Sequence, residues 1–313
     1  MVKTKKQKRN NLLLGVVFFI GMAVMAYPLV SRLYYRVESN QQIADFDKEK
    51  ATLDEADIDE RMKLAQAFND SLNNVVSGDP WSEEMKKKGR AEYARMLEIH
   101  ERMGHVEIPV IDVDLPVYAG TAEEVLQQGA GHLEGTSLPI GGNSTHAVIT
   151  AHTGLPTAKM FTDLTKLKVG DKFYVHNIKE VMAYQVDQVK VIEPTNFDDL
   201  LIVPGHDYVT LLTCTPYMIN THRLLVRGHR IPYVAEVEEE FIAANKLSHL
   251  YRYLFYVAVG LIVILLWIIR RLRKKKKQPE KALKALKAAR KEVKVEDGHR
   301  DYFTVGMGKI RIG

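Results

Sequence analysis

Two apolar runs frame the chain. Leu12 to Val30 is an apolar stretch of 19 residues that follows Lys3, Lys5, Lys6, Lys8 and Arg9. Tyr253 to Ile269 has 17 residues without a charge and is followed by Arg270, Arg271, Arg273 and Lys274 to Lys277. Each is long and apolar enough for a helix that crosses a bilayer core. The first is longer than the core of a usual signal peptide, which favours an uncleaved anchor over cleavage at Val24-Met25-Ala26. Basic flanks at both outer ends put both termini in the cytosol and the central region outside.

Between the runs the period of the apolar positions changes. From Gln41 to about Val76 the pattern predicts a helix, because Ile58, Met62, Ala65, Phe68, Leu72 and Val75 recur at three- and four-residue spacing and share one face. That stripe needs something to pack against. Ser77-Gly78-Asp79-Pro80-Trp81 then breaks the helix and leaves a large aromatic in a polar loop. A short helical segment is expected around Glu92 to Ile99. Beyond it come runs rich in Val, Ile and Tyr, separated by Gly, Asn and Pro: His105 to Val110, Leu115 to Tyr118, His146 to Thr150, Lys172 to Val175, Val181 to Glu193, Tyr208 to Cys214 and Arg223 to Ile231. Short, evenly spaced strands without alternating helices predict a closed or nearly closed β-barrel, not a doubly wound parallel sheet.

Charge refines the topology. The formal net charge is +5, but residues 1–10 and 270–313 together carry +16, which leaves −11 for the region between. Basic cytosolic ends on an acidic ectodomain suit anionic lipid headgroups and argue against nucleic acid as a partner. Glu280 to Lys294, with its Lys-Ala-Leu repeats, fits an amphipathic surface helix and equally a solvated charged one. Asp297 to Gly313 carries no functional signal.

Cys214 is the single cysteine. It can form no intramolecular disulfide, so packing or reactivity must explain its place at the end of an apolar strand, before a Thr-Pro loop. Among the 11 histidines, His152 stands out at the exit of the strand Thr145 to Thr150, where a rigid scaffold holds a side chain at an accessible edge. Arg223 follows Cys214 by nine residues across a loop with Pro216 and Asn220, and a hairpin-like return sets the two side by side. A guanidinium there favours thiolate over thiol and can donate to a developing oxyanion. The alternatives are a buried inert cysteine, a rim histidine and a solvated strand arginine. No histidine pair has zinc spacing and one cysteine cannot build a thiolate site, so neither metal nor cofactor is expected.

Thr210-Leu211-Leu212-Thr213-Cys214 resembles the Thr-Leu-x-Thr-Cys signature of sortases, and His152 and Arg223 fall where that family has its catalytic histidine and arginine. The resemblance extends through Gly131-His132-Leu133-Glu134-Gly135-Thr136-Ser137-Leu138-Pro139 and Phe161-Thr162-Asp163-Leu164, over roughly residues 75 to 235. Asp79-Pro80-Trp81 looks like the lid of the class C, pilus-building members, and a second spanning helix is also similar to that class. The resemblance implies cleavage of a Leu-Pro-x-Thr-Gly-type signal between Thr and Gly. Cys214 would form a thioester, His152 would act as general acid and base, and Arg223 would hold the oxyanion or substrate. Thr213 is expected to shape the nucleophile strand. The acyl acceptor would be a lysine amine of the next pilin, so the implied partners are pilin subunits, with membrane lipids around the anchors.

The implied lid would bring Asp79 to Arg223 and Trp81 over Cys214. A partly exposed contact of this kind contributes about 0 to 1 kcal/mol. The expected division is a basic N-terminus 1–10, a membrane helix 11–30, and a helical region 31–104 with a lid at 77–83. A barrel at 105–235, a stalk at 236–252, a second span at 253–269 and a basic tail at 270–313 complete it. A sortase that uses a peptidoglycan precursor as acceptor, a hydrolytic thiol enzyme and a non-enzymatic tethered scaffold remain as alternatives. The His-Gly-Cys signature of L,D-transpeptidases is not present around Cys214.

Overall fold

The computed structural model describes residues 5–72, 79, 81–82 and 93–303. The chain divides into two compact units, Met1–Lys246 and Leu247–Gly313. The first contains a closed barrel of eight strands: β1 (Arg102–Ile108), β2 (Val113–Ala119), β3 (Ala130–His132), β4 (Thr145–Thr150), β5 (Lys172–His176), β6 (Val181–Ile192), β7 (Asp207–Thr215) and β8 (His222–Ile231). They close in the order β1-β2-β3-β4-β7-β8-β6-β5, so every strand has two neighbours and no backbone edge is left open. The pairs β2–β3 and β4–β7 are parallel and the rest antiparallel. The expected closed, mostly-β architecture is present, with β3 as a strand the sequence pattern does not announce.

The interior is packed by alternate residues of all eight strands or their flanks, among them Val106, Val117, Ala130, Ile149, Phe173, Tyr184, Leu211 and Val226. Phe173 and Tyr184 stack with ring centroids 5.6 Å apart. Gly228 on β8 faces this pair, and a Cβ there would lie 2.6 Å from a Phe173 ring carbon, so the position admits no side chain without repacking. Two buried histidines are neutral by their partners. His132 donates through Nε2 to the Ser137 carbonyl (2.7 Å) and accepts at Nδ1 from the Tyr93 hydroxyl (2.6 Å). His146 donates through Nδ1 to the Leu201 carbonyl (2.9 Å) and accepts at Nε2 from Thr210 (2.7 Å). Burial pushes both well down, to about 4.

Helix α1 (Lys5–Lys50) contains Pro28 and runs without a break from the first apolar stretch onto the barrel. Its later turns lie along β2. The Tyr35 hydroxyl donates to the Gln128 carbonyl (2.7 Å), Arg36 pairs with Asp112, and Gln42 accepts from Tyr118 (2.5 Å). Phe46 is buried in a second apolar cluster with Ala65, Leu97, Met103, Leu138 and Ile140. The single helix expected from Gln41 to Val76 is instead interrupted at residues 51–54, and α2 spans Glu55–Asp70. The reason is tertiary: Leu53 turns inward to pack on the second cluster, and Asp54 takes an extended conformation as the N-cap. Met62, Ala65 and Phe68 of the expected stripe meet the same cluster, which supplies its missing partner. Asn69 fastens α2 to the barrel by accepting from the Leu138 amide (2.7 Å) and donating to its carbonyl (3.3 Å). Val75 and Val76 lie outside the described residues. The segment expected as a helix up to Ile99 contains only a 3-10 turn at Arg95–Leu97, and Glu92 is outside the described residues.

A six-residue helix, α3 (Glu123–Gln128), sits between β2 and β3. Helix α4 (Ala235–Phe303) follows β8. Its first turns belong to the barrel unit, with Glu238 accepting from Lys172 (2.7 Å) and Tyr174 (2.5 Å) and Lys246 paired with Glu107 (2.7 Å). The expected stalk, span and Lys-Ala-Leu tail segment are thus one continuous helix. Two helical segments, Val16–Lys50 and Ala235–Arg271, are long and apolar enough to cross a membrane.

Candidate active site

Two neighbouring strands in the barrel carry the reactive side chains. Cys214 on β7 is directly opposite Arg223 on β8. The return between them is therefore the hairpin that their spacing suggests. On the other side of β7, β4 runs parallel with Thr150 beside Leu212, and the Ala151 amide donates to the Leu212 carbonyl (3.2 Å). Continuing that register by two residues carries His152 alongside Cys214. Thr213 secures the arrangement, since its hydroxyl donates to the Ala151 carbonyl (2.7 Å), the residue that precedes His152. Thr213 is buried behind the site and touches its frame, not its cavity.

The chain after His152 is pinned on its far side. The Phe161 amide donates to the His152 carbonyl (3.0 Å), the Gly154 amide donates to Thr162 (3.1 Å), and Asp163 holds Lys159 (3.1 Å) and Lys166 (2.8 Å). The Phe161-Thr162-Asp163-Leu164 run is thus a clamp for the histidine loop. The run around His132 has a comparable role, because Leu133 forms part of a third apolar cluster with Val148, Leu200, Leu212 and Leu225, on which Trp81 packs.

Cys214, His152 and Arg223 meet in one pocket of about 470 Å³, together with Trp81, Glu123, Thr153 and Asn220. Cys214 is 6% exposed and Arg223 5%. Burial works against the Arg223 charge, but bonds to Asp79 and the nearby Cys214 outweigh it and raise its pKa. The guanidinium makes a two-pronged pair with Asp79, Nε to Oδ1 at 2.8 Å and Nη2 to Oδ2 at 2.5 Å, and also donates to the carbonyls of Asn220 and His222 (both 3.1 Å). Trp81 lies between the basic groups: its Nε1–H donates to His152 Nδ1 (3.4 Å), and the Arg223 guanidinium carbon is 4.9 Å from its ring centre. Asp79 and Trp81 therefore both contact the basic side chains of this pocket. The Asp79–Arg223 pair is more enclosed than expected, with side-chain accessibilities of 16% and 6%. Ser77, Gly78, Pro80 and residue 83 of the expected lid lie outside the described residues.

Glu123, Thr153 and Asn220 are pocket residues that the sequence pattern does not single out, and of these Glu123 faces the histidine. Its Oε1 lies 3.3 Å from His152 Nε2 and accepts from Gln127, one turn further along α3. A leading glutamate on a short amphipathic segment looks like any helix-start acid, so nothing local marks it.

Comparisons with known proteins identify the family. The family described as "Sortase domain" matches residues 106–231. Sortase A of Bacillus anthracis is 24% identical over 230 residues, which is 71% of this chain and 95% of that protein. A solved mutant of sortase C-1 from S. pneumoniae is 99% identical, with a TM-score of 0.62, over 62% of this chain and 99% of the solved one. The pilus-related sortase C of Group B Streptococcus is 64% identical, with a TM-score of 0.59, over 61% of this chain and 97% of the solved one. The chain belongs to the sortase family of transpeptidases, and its high-identity structural neighbours are the pilus-related sortases C of streptococci.

Proposed function

We propose that this protein is a membrane-anchored class C sortase that joins pilin subunits. Its Cys214 thiolate attacks the threonine carbonyl of a Leu-Pro-x-Thr-Gly-type signal, and Arg223 stabilises the oxyanion that forms. His152 gives a proton to the departing glycine amine, and the acyl group remains as a thioester. A lysine amine of the next pilin then loses a proton to His152 and attacks the thioester. The C–N bond forms, the C–S bond breaks with Cys214 leaving as thiolate, and the remaining hydrogen stays on the isopeptide nitrogen. The observation that carries this reading is the convergence of Cys214, His152 and Arg223 in one pocket beneath Asp79 and Trp81.

Under this reading the Asp79 carboxylate occupies the Arg223 groups that a substrate carbonyl would use, so the lid must leave before acylation. Closure also keeps water from the thiol between turnovers. The apolar segments 11–30 and 253–269 anchor the enzyme twice, with both termini in the cytosol and the barrel outside. Enzyme and membrane-held pilins then share a thin layer, which raises their effective concentration.

The test is to incubate the ectodomain with candidate pilins and identify linked residues by mass spectrometry. A threonine-to-lysine isopeptide bond that disappears in Cys214→Ala is expected. Threonine linked instead to a peptidoglycan precursor would reassign the acceptor, and links that persist in Cys214→Ala would overturn the mechanism.

A further inference from the structure

We infer that Glu123 is a positioning residue whose carboxylate faces the Nε2 edge of His152 and orients the ring by charge, leaving Nδ1 as the nitrogen that gives and takes the reaction's proton. This deepens the transpeptidase reading and rests on it for the reaction, although the assignment of the tautomer stands on geometry. Indole nitrogen is a donor only, so the Trp81 Nε1–H contact requires a bare Nδ1 on His152. In a neutral imidazole the hydrogen then resides on Nε2. That nitrogen lies 3.3 Å from the Glu123 carboxylate, at ion-pair distance and not aligned as a hydrogen bond, and the imidazole is largely enclosed, with 13% of its side chain accessible.

The carboxylate is itself held. Gln127 donates to the same Oε1, Val125 and Leu126 bury the next turn of α3, and the Gln128 carbonyl receives the Tyr35 hydroxyl of α1 (2.7 Å). A chain of contacts thus runs from α1 through α3 to one edge of His152, while Trp81 occupies the other. When the lid leaves, Trp81 frees Nδ1 and Glu123 keeps Nε2. The incoming amine donates its proton at the position the indole N–H has vacated. Glu123 also faces the positive charge that His152 carries when doubly protonated. This is the relation of base and orienting carboxylate found in acyl-transfer triads, supplied here from a helix outside the barrel.

Two readouts test the assignment on the barrel portion with its N-terminal helices, a portion close to one already solved as a separate chain at 99% identity. The first is nitrogen NMR of His152 in Cys214→Ala protein at a pH where the ring is neutral. The expected result is Nε2–H with a bare Nδ1, and a loss of that preference in Glu123→Ala. Nδ1–H in the parent, or an unchanged preference in the variant, would overturn the proposal. This readout needs no turnover, so it remains decisive even if lysine transfer fails.

The second is the pH profile of sorting-peptide turnover in an Asp79→Ala background, which removes the lid's hold. Glu123→Gln keeps an acceptor but loses the charge, so the histidine-dependent limb should move to lower pH by roughly half to one unit, with kcat reduced about tenfold and KM little changed. Glu123→Ala should lose more. An unmoved limb, or a rise in KM at constant kcat, would assign Glu123 to substrate contact or to packing and overturn the proposal.

Discussion

Cys214 and Arg223 are paired across a strand ladder, so substituting either changes chemistry without opening the fold. Cys214→Ala should abolish thioester formation, detected as a mass shift with a sorting peptide. Arg223→Ala should lower turnover roughly a hundredfold to a thousandfold, the usual cost of one lost oxyanion donor. A near-normal rate for Arg223→Ala would remove the guanidinium from the reaction. These two and His152 were legible because each marks a strand end or start in an uninterrupted apolar pattern. Glu123 was not legible, because its meaning comes from a contact across 29 positions of sequence with His152. Three other histidines govern stability. His132 and His146 are held near 4 against an ordinary value of 6.5, so the stabilisation from burying them neutral is complete above 6.5 and fades as pH falls towards 4. His105 goes the other way. Burial opposes its charge, but Asp114 (2.7 Å) and Asp47 outweigh that and raise it to about 9, so its contribution is complete below 6.5 and lost as pH rises through 9. Urea unfolding across this range should show a stability maximum near 6.5 to 7, with an acid loss on the order of 2 to 3 kcal/mol for each of His132 and His146. A curve flat down to pH 4.5 would contradict the burial assigned to both.

At the level of elements, the lid proposed for Asp79 and Trp81 depends on a pair of charges that is mostly enclosed, so its opening costs more than a surface contact would. A charge-assisted two-pronged bond of this kind is worth on the order of 2 kcal/mol. Asp79→Ala and Trp81→Ala should therefore speed thiol labelling of Cys214 by roughly tenfold or more and increase hydrolysis of short sorting peptides. The melting temperature should fall by no more than about 4 to 8 °C, the shift expected for a loss of that size, because the barrel ladder stays intact. Labelling at the parent rate would show that Asp79 and Trp81 do not guard the thiol. The sequence exposed this element through a helix break followed by an unexplained tryptophan, but the seat of Trp81 on the cluster of Leu133, Leu212 and Leu225 is a matter of tertiary packing. Strand β3 escaped notice for a related reason: three residues with a central glycine have no period to read, and they become a strand only by pairing with β2 and β4. The break at 51–54 was hidden because Ala51, Thr52 and Leu53 are not breakers, and packing of Leu53 outweighs their local preference.

On the scale of the whole molecule, the apolar runs, their basic flanks and the barrel were all written in the hydropathy pattern. The continuity of α1 from the apolar stretch to the barrel was not, since the pattern predicts the next helix only from Gln41. Under the proposed topology, in which α1 crosses the bilayer, the enzyme stands on a mast instead of swinging on a leash. Tyr35 is only five residues past Val30, about 8 Å of helical rise, and it grips the Gln128 end of the short helix whose other end reaches the pocket. The working altitude of the thiol above the lipid is then set by helix geometry, and a pilin must present its signal at that altitude. Inserting about two helical turns between Val30 and Tyr35 preserves the face that meets the barrel while lifting the site by roughly 10 Å. Turnover of a soluble sorting peptide should be unaffected, whereas joining of membrane-held pilins in cells should fall several-fold. Equal joining by both forms would mean that the substrates, not the mast, take up the distance.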